Sequence, residues 1–459
     1  MLSLRLSSAL CCLTALLSTA QAQASGLSTN ASTSITPPLK PANSSRSFGP
    51  QYAIGVNSAW NAFNNEVNFQ PACVVFAAKA EHVQVAMKAI FDNDVDYAVQ
   101  AGGHSAMKGW NNVEEGKDTI TLLPGIHWGN AVADLAPLGV APVGGRINDV
   151  GTGLLLGGGL SYLSASFGYA ADTFVSLDVV LVNGTLVTAT VDNEYADLFR
   201  ALKGGANRFG IVTKYEVAGC AYWDSGPRKT SIVSQLVIRS CYSKQWHTML
   251  KKSMIQMQLL HRSTKLSQKC FPYPSQQRRL DLSHTRRFPN EILDSVTIVG
   301  QTFGAGVLAG MSGSFTSSNP YIETLRLFNN FTTTYASSGQ ISDVTLAFTP
   351  ILDAQIRIGL ARGGNAISPL LGDGGFNAIQ FAVSYSEGVI DIPTDIEQGR
   401  EYFLENIPNT PGLPLYINEC DSKQLVFETY GGFEFLKTVY AKYDPTRFNV
   451  RHTQGPLGL

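Results

Sequence analysis

A chain of 459 residues with 44% hydrophobic and only 15% charged residues has the material for a large buried core and two lobes, which excludes an intrinsically disordered protein. A formal net charge of −1 offers nothing to a polyanion or an anionic bilayer, so neither nucleic acid nor membrane is an expected partner. At the start of the chain, Arg5, the apolar run Leu6 to Leu17 and the small-residue site Ala20-Gln21-Ala22 read as a secretory signal over 1–22. The run falls short of the roughly 20 residues that a spanning helix needs. A secreted protein is therefore expected, and four Asn-x-Ser/Thr triplets, at Asn30, Asn43, Asn183 and Asn330, are then open to glycosylation. Residues 23–52 are rich in Ser, Thr, Asn and Pro and read as a disordered lead-in. Without Cys11 and Cys12 the mature chain keeps Cys73, Cys220, Cys241, Cys270 and Cys420, too widely spaced for a disulfide framework, with room for one or two bridges. No CxxC or HExxH occurs, so no metal site is expected.

Folded structure begins with a strand at Ala72 to Phe76, a helix at Ala80 to Phe91 with Val83, Ala86, Met87 and Ile90 at helical spacing, and a strand at Val95 to Gln100. This βαβ unit ends in the turn Ala101-Gly102-Gly103-His104-Ser105. Two adjacent glycines let backbone amides close on an anion such as a pyrophosphate, although the same five residues also suit a plain tight turn with a surface histidine. A second glycine stretch, from Gly144 to Tyr169, carries Gly151, Gly153, Gly157, Gly158 and Gly159 among Leu154, Leu155 and Leu156. The leucines anchor one side in a core while the backbone passes close to something flat or anionic. Leu177 to Val182 and Leu186 to Ala189 flank Asn183-Gly184 as a hairpin, Asp197 to Leu202 is helical, and a third glycine stretch runs from Lys203 to Thr213 through Gly210, Ile211 and Val212. Three such turns on one α+β scaffold point to an extended cofactor. None has G-x-G-x-x-G spacing, and neither a G-x-x-x-x-G-K-[ST] loop nor a G-x-S-x-G elbow is present, which disfavours NAD enzymes, NTPases and α/β-hydrolases.

Between Ala218 and Asn290 the composition changes, with 13 Lys and Arg against only Asp224 and Asp281. This segment reads either as a basic patch for heparin or nucleic acid or as a stretch foreign to the lobe around it. Beyond Thr297 come VGQTFGAGVLAG, a helix at Ile322 to Thr334, strands at Leu346 to Ile351 and Phe376 to Tyr385, and a helix at Ile396 to Glu405.

Taken in order, PACVVFAAKAEHVQVAMKAI, VQAGGHS, VGTGLLLGGGLSYLS, SLDVVLVNGTLVTA and LFRALKGGANRFGIVT resemble the FAD domain of the berberine-bridge-like oxidases in the vanillyl-alcohol-oxidase superfamily. Tyr416 to Gly432 and Tyr443 to Val450 are similar to that family's closing segment. The resemblance implies an α+β protein: a PCMH-type FAD-binding domain over 53–217, the atypical basic segment 218–290, a substrate domain over 291–414 with an antiparallel sheet flanked by helices, and a closing segment 415–459 that returns to the FAD lobe. It implies that Gln100, Ala101, Gly102, Gly103, His104 and Ser105 wrap the FAD pyrophosphate, with His104 bonded to the 8α-methyl of the flavin. Gly151, Gly153 and Gly157, Gly158 and Gly159 would lie along the flavin and diphosphate, and Gly210, Ile211 and Val212 by the adenine half. The implied reaction is dehydrogenation of a small alcohol, amine or secondary metabolite with O2 as acceptor.

Departures from the pattern are specific. Gln100 stands where many members have Arg, and Ile147-Asn148-Asp149 stands where bicovalent members carry a second attachment cysteine. Glu419 replaces the tyrosine of the Y-x-N-Y motif, which makes Tyr416, Asn418 and Glu419 the candidate catalytic group, with Glu419 as a base if desolvated or an ordinary loop carboxylate if not. Tyr385, with Asn418 and Tyr416, is a candidate substrate contact, although aromatic residues on strands are more often core. The stretch from Asn111 to Trp128 is shorter than the family's usual strand pair. These departures keep open a second reading, a flavin-binding protein without turnover.

Overall fold

The structure, a computed structural model, describes residues 2–6, 73–101, 119–135, 140–221, 236–239, 305–314, 319–372, 374–386, 388–389, 391–408, 410–455 and 458–459. Strand β1 (Leu2–Leu6) lies between β2 (Cys73–Ala77) and β3 (Tyr97–Gln100) and pairs antiparallel with both. β2 and β3 therefore run parallel, joined by helix α1 (Ala80–Asp92), which buries Val83, Ala86, Met87, Ala89 and Ile90. The βαβ unit expected from the sequence is present, but its two strands are not neighbours. A five-residue piece of the segment read as a leader holds the hydrogen-bonding edge between them.

The next elements are β4 (Thr119–Leu122), α2 (Trp128–Leu135), β5 (Val140–Ala141), and the short helices α3 (Gly153–Leu156) and α4 (Ser164–Phe167). They lead into β6 (Phe174–Val180), β7 (Leu186–Thr190), α5 (Ala196–Ala201), β8 (Ile211–Ala218) and β9 (Cys220–Ala221). A four-stranded antiparallel sheet results, in the order β4-β8-β6-β7. Its β6–β7 hairpin turns at Asn183-Gly184 as read from the sequence. Gly184 has φ +82, a left-handed conformation, and Asn183 Oδ1 accepts from the Thr185 amide at 3.0 Å. Of the basic segment 218–290, only Ala218–Ala221 and β10 (Leu236–Arg239) fall within the described residues.

A second antiparallel sheet joins β10 to β11 (Ala305–Ser314), β12 (Ile341–Leu352) and β13 (Gly375–Tyr385) in the order β10-β12-β13-β11. Leu346, Phe348, Ile379, Phe381, Val383 and Tyr385 point to one face and pack on α6 (Asn319–Thr334) and on the later helix Thr394–Asn406. The rings of Phe381 and Phe403 stack at 4.0 Å, and each fully covered phenylalanine here contributes about 1.5–3 kcal/mol. Because a strand alternates its side chains, the other face carries Thr345, Ala347 and Thr349 opposite Ala382, Gln380 and Ala378, an uncharged stretch between Asp343 at one end and the Ile351–Phe376 pair at the other. Tyr385 belongs to the helix-covered face, so the structure corrects its reading as a substrate contact: strand parity turns it into the core.

After α7 (Asp353–Ala361) and α8 (Thr394–Asn406) the chain passes through residues 416–432 to α9 (Phe433–Tyr443) and α10 (Phe448–His452). Residues of this closing stretch, Leu415 to Tyr440, share a core with the β4-β8-β6-β7 lobe and with Ile351 of β12, Phe376 of β13 and Ile367 between α7 and β13. Arg400 on α8 ties the stretch down. It is 2% exposed and donates to Glu397 at 2.7 Å and to Asp421 at 2.6 Å. The Arg400 hydrogen bond holds the Glu397 carboxyl below its ordinary value. A depressed carboxyl contributes stability above its unfolded value of 4.5 and loses it as pH falls through the lower folded value. Arg400→Met is therefore expected to cost about 3–5 kcal/mol at neutral pH, since it strands a partly buried carboxylate pair. Its difference from the parent should narrow below pH 4.5, which melting curves across that range would check.

Candidate functional site

The second glycine stretch is built around Trp128. This indole is 2% exposed and donates from Nε1 to Gly151 O at 3.1 Å. A methyl group at Gly144 or Gly145 would approach its ring to 2.1 or 2.4 Å. The Trp128 and Gly129 amides donate to Val150 O and Asn148 O, which folds residues 144–151 back over α2. Among the described residues, the backbone N–H groups of Gly145, Arg146, Ile147 and Asn148 donate to no protein acceptor. Consecutive open amides on a glycine turn are donors that a diphosphate or a flavin carbonyl edge can use. Leu155 and Leu156 are buried, as the sequence implied.

The glycine run is also packed by protein. A Cβ on Gly157 would lie 2.1 Å from Asn418 Oδ1, and Gly158 and Gly159, both at positive φ, face Ile367 and Ala170. This modifies the sequence reading, in which the close approach at these glycines is to a cofactor. Asn418 donates from Nδ2 to Leu154 O at 2.9 Å and to the Tyr416 hydroxyl at 2.8 Å, and that hydroxyl accepts from the Leu160 amide at 2.9 Å. Burial raises the Tyr416 hydroxyl above its ordinary value, with the Glu419 charge acting in the same direction. Tyr416 and Asn418 thus brace the glycine loop from behind.

Glu419 is 7% exposed. Its Oε1 accepts from Arg146 Nη2 at 2.9 Å, and Arg146 Nη1 donates to Thr349 Oγ1 at 3.1 Å. Oε2 is enclosed and has no hydrogen-bond partner among the described residues. Burial pushes the carboxyl up while Arg146 opposes that shift. Arg146 from the glycine loop, Glu419 from the closing segment and Thr349 from the uncharged face of β12 therefore meet at one point, beside the half-buried Tyr162.

At the other end, Gly210 has φ +132, and a side chain there would meet Val180 O at 2.7 Å. Ile211 and Val212 pair with Val180 and Val179 and turn their side chains into the core. A narrow cleft of about 10 Å³ runs past Gly210 and Ile211 between Tyr97, Val99, Asn207 and Thr453. Gln100 and Ala101 are buried at the end of β3. Gly102, Gly103, His104 and Ser105 lie outside the described residues. No group of His, Cys, Asp and Glu that could hold a metal occurs among the described residues, and no helix there is long and apolar enough to cross a membrane.

The sequence reading missed Arg146 and Trp128. Arg146 lies within the quoted glycine stretch, yet nothing local links it to Glu419, 273 positions away. Trp128 carried one usable signal, a large aromatic followed by a Gly-Gly pair on which it could lie.

Residues 105–190 match the sequence family described as FAD binding domain. The chain is 38% identical over 164 residues to an FAD-dependent monooxygenase of Arthrobotrys oligospora, covering 32% of this chain and 32% of that protein. It is 35% identical over 166 residues to an uncharacterized FAD-linked oxidoreductase of Arthroderma benhamiae, covering 32% and 33%. The matched part spans about a third of these curated relatives. Among solved structures, 6-hydroxy-D-nicotine oxidase of Arthrobacter nicotinovorans superposes with a TM-score of 0.60 at 17% identity, covering 87% of this chain and 95% of that one. Xylooligosaccharide oxidase of Myceliophthora thermophila gives 0.59 at 17%, covering 90% and 97%. The antiparallel α+β architecture expected from the sequence is thus the fold that this chain shares with these two oxidases.

Proposed function

From a chain that carries an FAD binding domain on the vanillyl-alcohol-oxidase-type flavoprotein fold, we propose an FAD-dependent oxidoreductase that dehydrogenates a small organic molecule, an alcohol, an amine or a secondary metabolite, with O2 as the reoxidant. The observation that carries this reading is the meeting of Arg146, Glu419 and Thr349, which joins the glycine loop, the closing segment and the substrate sheet around one polar spot. FAD, when bound, supplies the hydride acceptor. The open amides of Gly145 to Asn148 and the Gly151 to Gly159 backbone would hold it, with Gly210 at the adenine end and His104 as the point of covalent attachment. Trp128, Tyr416 and Asn418 keep that loop rigid. Protein purified with added FAD is expected to be yellow, and after denaturation the colour should stay with the peptide containing His104. His104→Ala is expected to release its flavin on denaturation, measured by absorption near 450 nm, roughly the region of an oxidised flavin. Colourless protein from both forms would sink the cofactor assignment, and colour retained equally by both would sink the linkage.

Export through the secretory route is part of the same proposal, supported by Arg5, the Leu6 to Leu17 run and Ala20-Gln21-Ala22. N-terminal sequencing of the mature protein tests it: cleavage after Ala22, which removes β1 from between β2 and β3, is the expected result, and a mature chain that keeps Leu2–Leu6 would overturn it.

A further inference from the structure

We infer that Arg146, with Glu419 behind it as a positioning residue, is the group that receives the ligand, and that the ligand presents an oxyanion, a carboxylate or a phenolate, to this arginine. The inference rests on the oxidoreductase reading above and deepens it. Of the two Glu419 oxygens, one is taken by Arg146 and the other is enclosed, so neither is open to take a proton from a ligand. The arginine is placed differently. Its side chain keeps 14% of its surface exposed, and two of its donors are taken, at two different nitrogens, by Glu419 and Thr349. The rest of the fork has no acceptor among the described residues. A guanidinium gripped at both nitrogens is fixed in plane, and its remaining N–H groups form the paired, charge-assisted donors that suit a planar oxyanion.

The surroundings agree. Thr349 belongs to the sheet face that carries Thr345, Gln380 and alanines, one pair short of Ile351 and Phe376, which continue that face into the core. The titratable groups that bear on the pair are Tyr162, near Arg146, and Tyr416 and Cys420, near Glu419; β12 contributes only the neutral Thr349. An incoming oxyanion competes with Glu419 for one positive charge.

The test titrates benzoate into the yellow holoprotein and follows the shift of its visible absorption at about pH 7, where benzoate itself stays ionised. The unaltered protein is expected to bind benzoate. Arg146→Met should weaken binding at least about tenfold, the loss of a charged hydrogen-bond pair. Arg146→Lys keeps charge without the fork and should fall between. Glu419→Ala leaves the arginine unaimed and should weaken binding, whereas Glu419→Gln keeps an acceptor for it and should restore binding. With a turned-over substrate, Glu419→Gln should lose less than about tenfold in kcat/KM, where loss of a catalytic base costs about 10²–10⁴-fold. Absence of benzoate binding to yellow protein, unchanged binding in Arg146→Met, or a Glu419→Gln variant as impaired as Glu419→Ala would each overturn the inference. Protein that never takes up flavin is a different result and counts against the oxidoreductase reading itself.

Discussion

Gly157→Ala is expected to strip the protein of most of its flavin, to below about a tenth of the parent's content, although the change adds one methyl group. The methyl would sit 2.1 Å from Asn418 Oδ1 and 2.7 Å from Nδ2, far inside contact distance, and Asn418 cannot swing away without losing Leu154 O and the Tyr416 hydroxyl. Tyr416 in turn holds the Leu160 amide just past the glycine run. One overpacked atom therefore shifts the loop that presents the open amides and the segment that carries Glu419. Overpacking of this kind costs about 1–3 kcal/mol in stability, which leaves a folded protein in which cofactor content reports the damage. The ratio of visible to ultraviolet absorption after gel filtration measures it. Asn418→Gly in the same chain vacates the contested space, so the double variant should regain flavin relative to Gly157→Ala. A Gly157→Ala protein as yellow as the parent would show that the contact is relieved without cost.

The largest stability effect is expected at Asp444. It is 1% exposed, and its carboxylate accepts from the Tyr440 hydroxyl at 2.6 Å, the Phe448 and Asn449 amides at 2.8 Å each, and Thr446 Oγ1 at 3.0 Å. The two amides open α10, so Asp444 supplies the acceptors that a helix start lacks. Asp444→Ala leaves these buried donors without acceptors and should cost about 3–5 kcal/mol in denaturant unfolding. The consequences extend to the flavin lobe. Asn449 accepts from the Tyr97 hydroxyl at 2.6 Å and donates to Arg208 O at 2.9 Å, and Phe448 packs against Phe91 at 5.0 Å. Arg208 Nη1 reaches back to Asn449 O and Thr453. Asp444→Asn keeps one acceptor and should show roughly half the loss. An unfolding midpoint unchanged in Asp444→Ala would mean that water replaces these bonds.

Local elements were legible because their signals are local. Alternating and helical periodicity located α1, the β6–β7 hairpin with its Asn183-Gly184 turn, α6 and α8 to within a few residues, and strand composition located β12 and β13. Parity within a strand was less accessible, and Tyr385 shows why. An aromatic on a strand is a core residue or a ligand contact according to which face the helices cover, and that is set by packing outside the strand. The neighbours of β2 and β3 were likewise beyond a local reading, because their common partner, Leu2–Leu6, is some seventy residues away in the chain.

By itself the sequence pointed to an extended cofactor on an α+β scaffold, since three glycine stretches in fixed order among apolar strands are a property of the chain alone. Tertiary structure decided what the polar residues around them do. Glu419 was a candidate base in the sequence; folding encloses one of its oxygens and spends the other on Arg146. Gly157 was a place for a cofactor to approach; folding packs Asn418 against the side where its Cβ would lie. Charge pairs and close contacts between residues hundreds of positions apart depend on how lobes pack, and no periodicity along the chain encodes that distance.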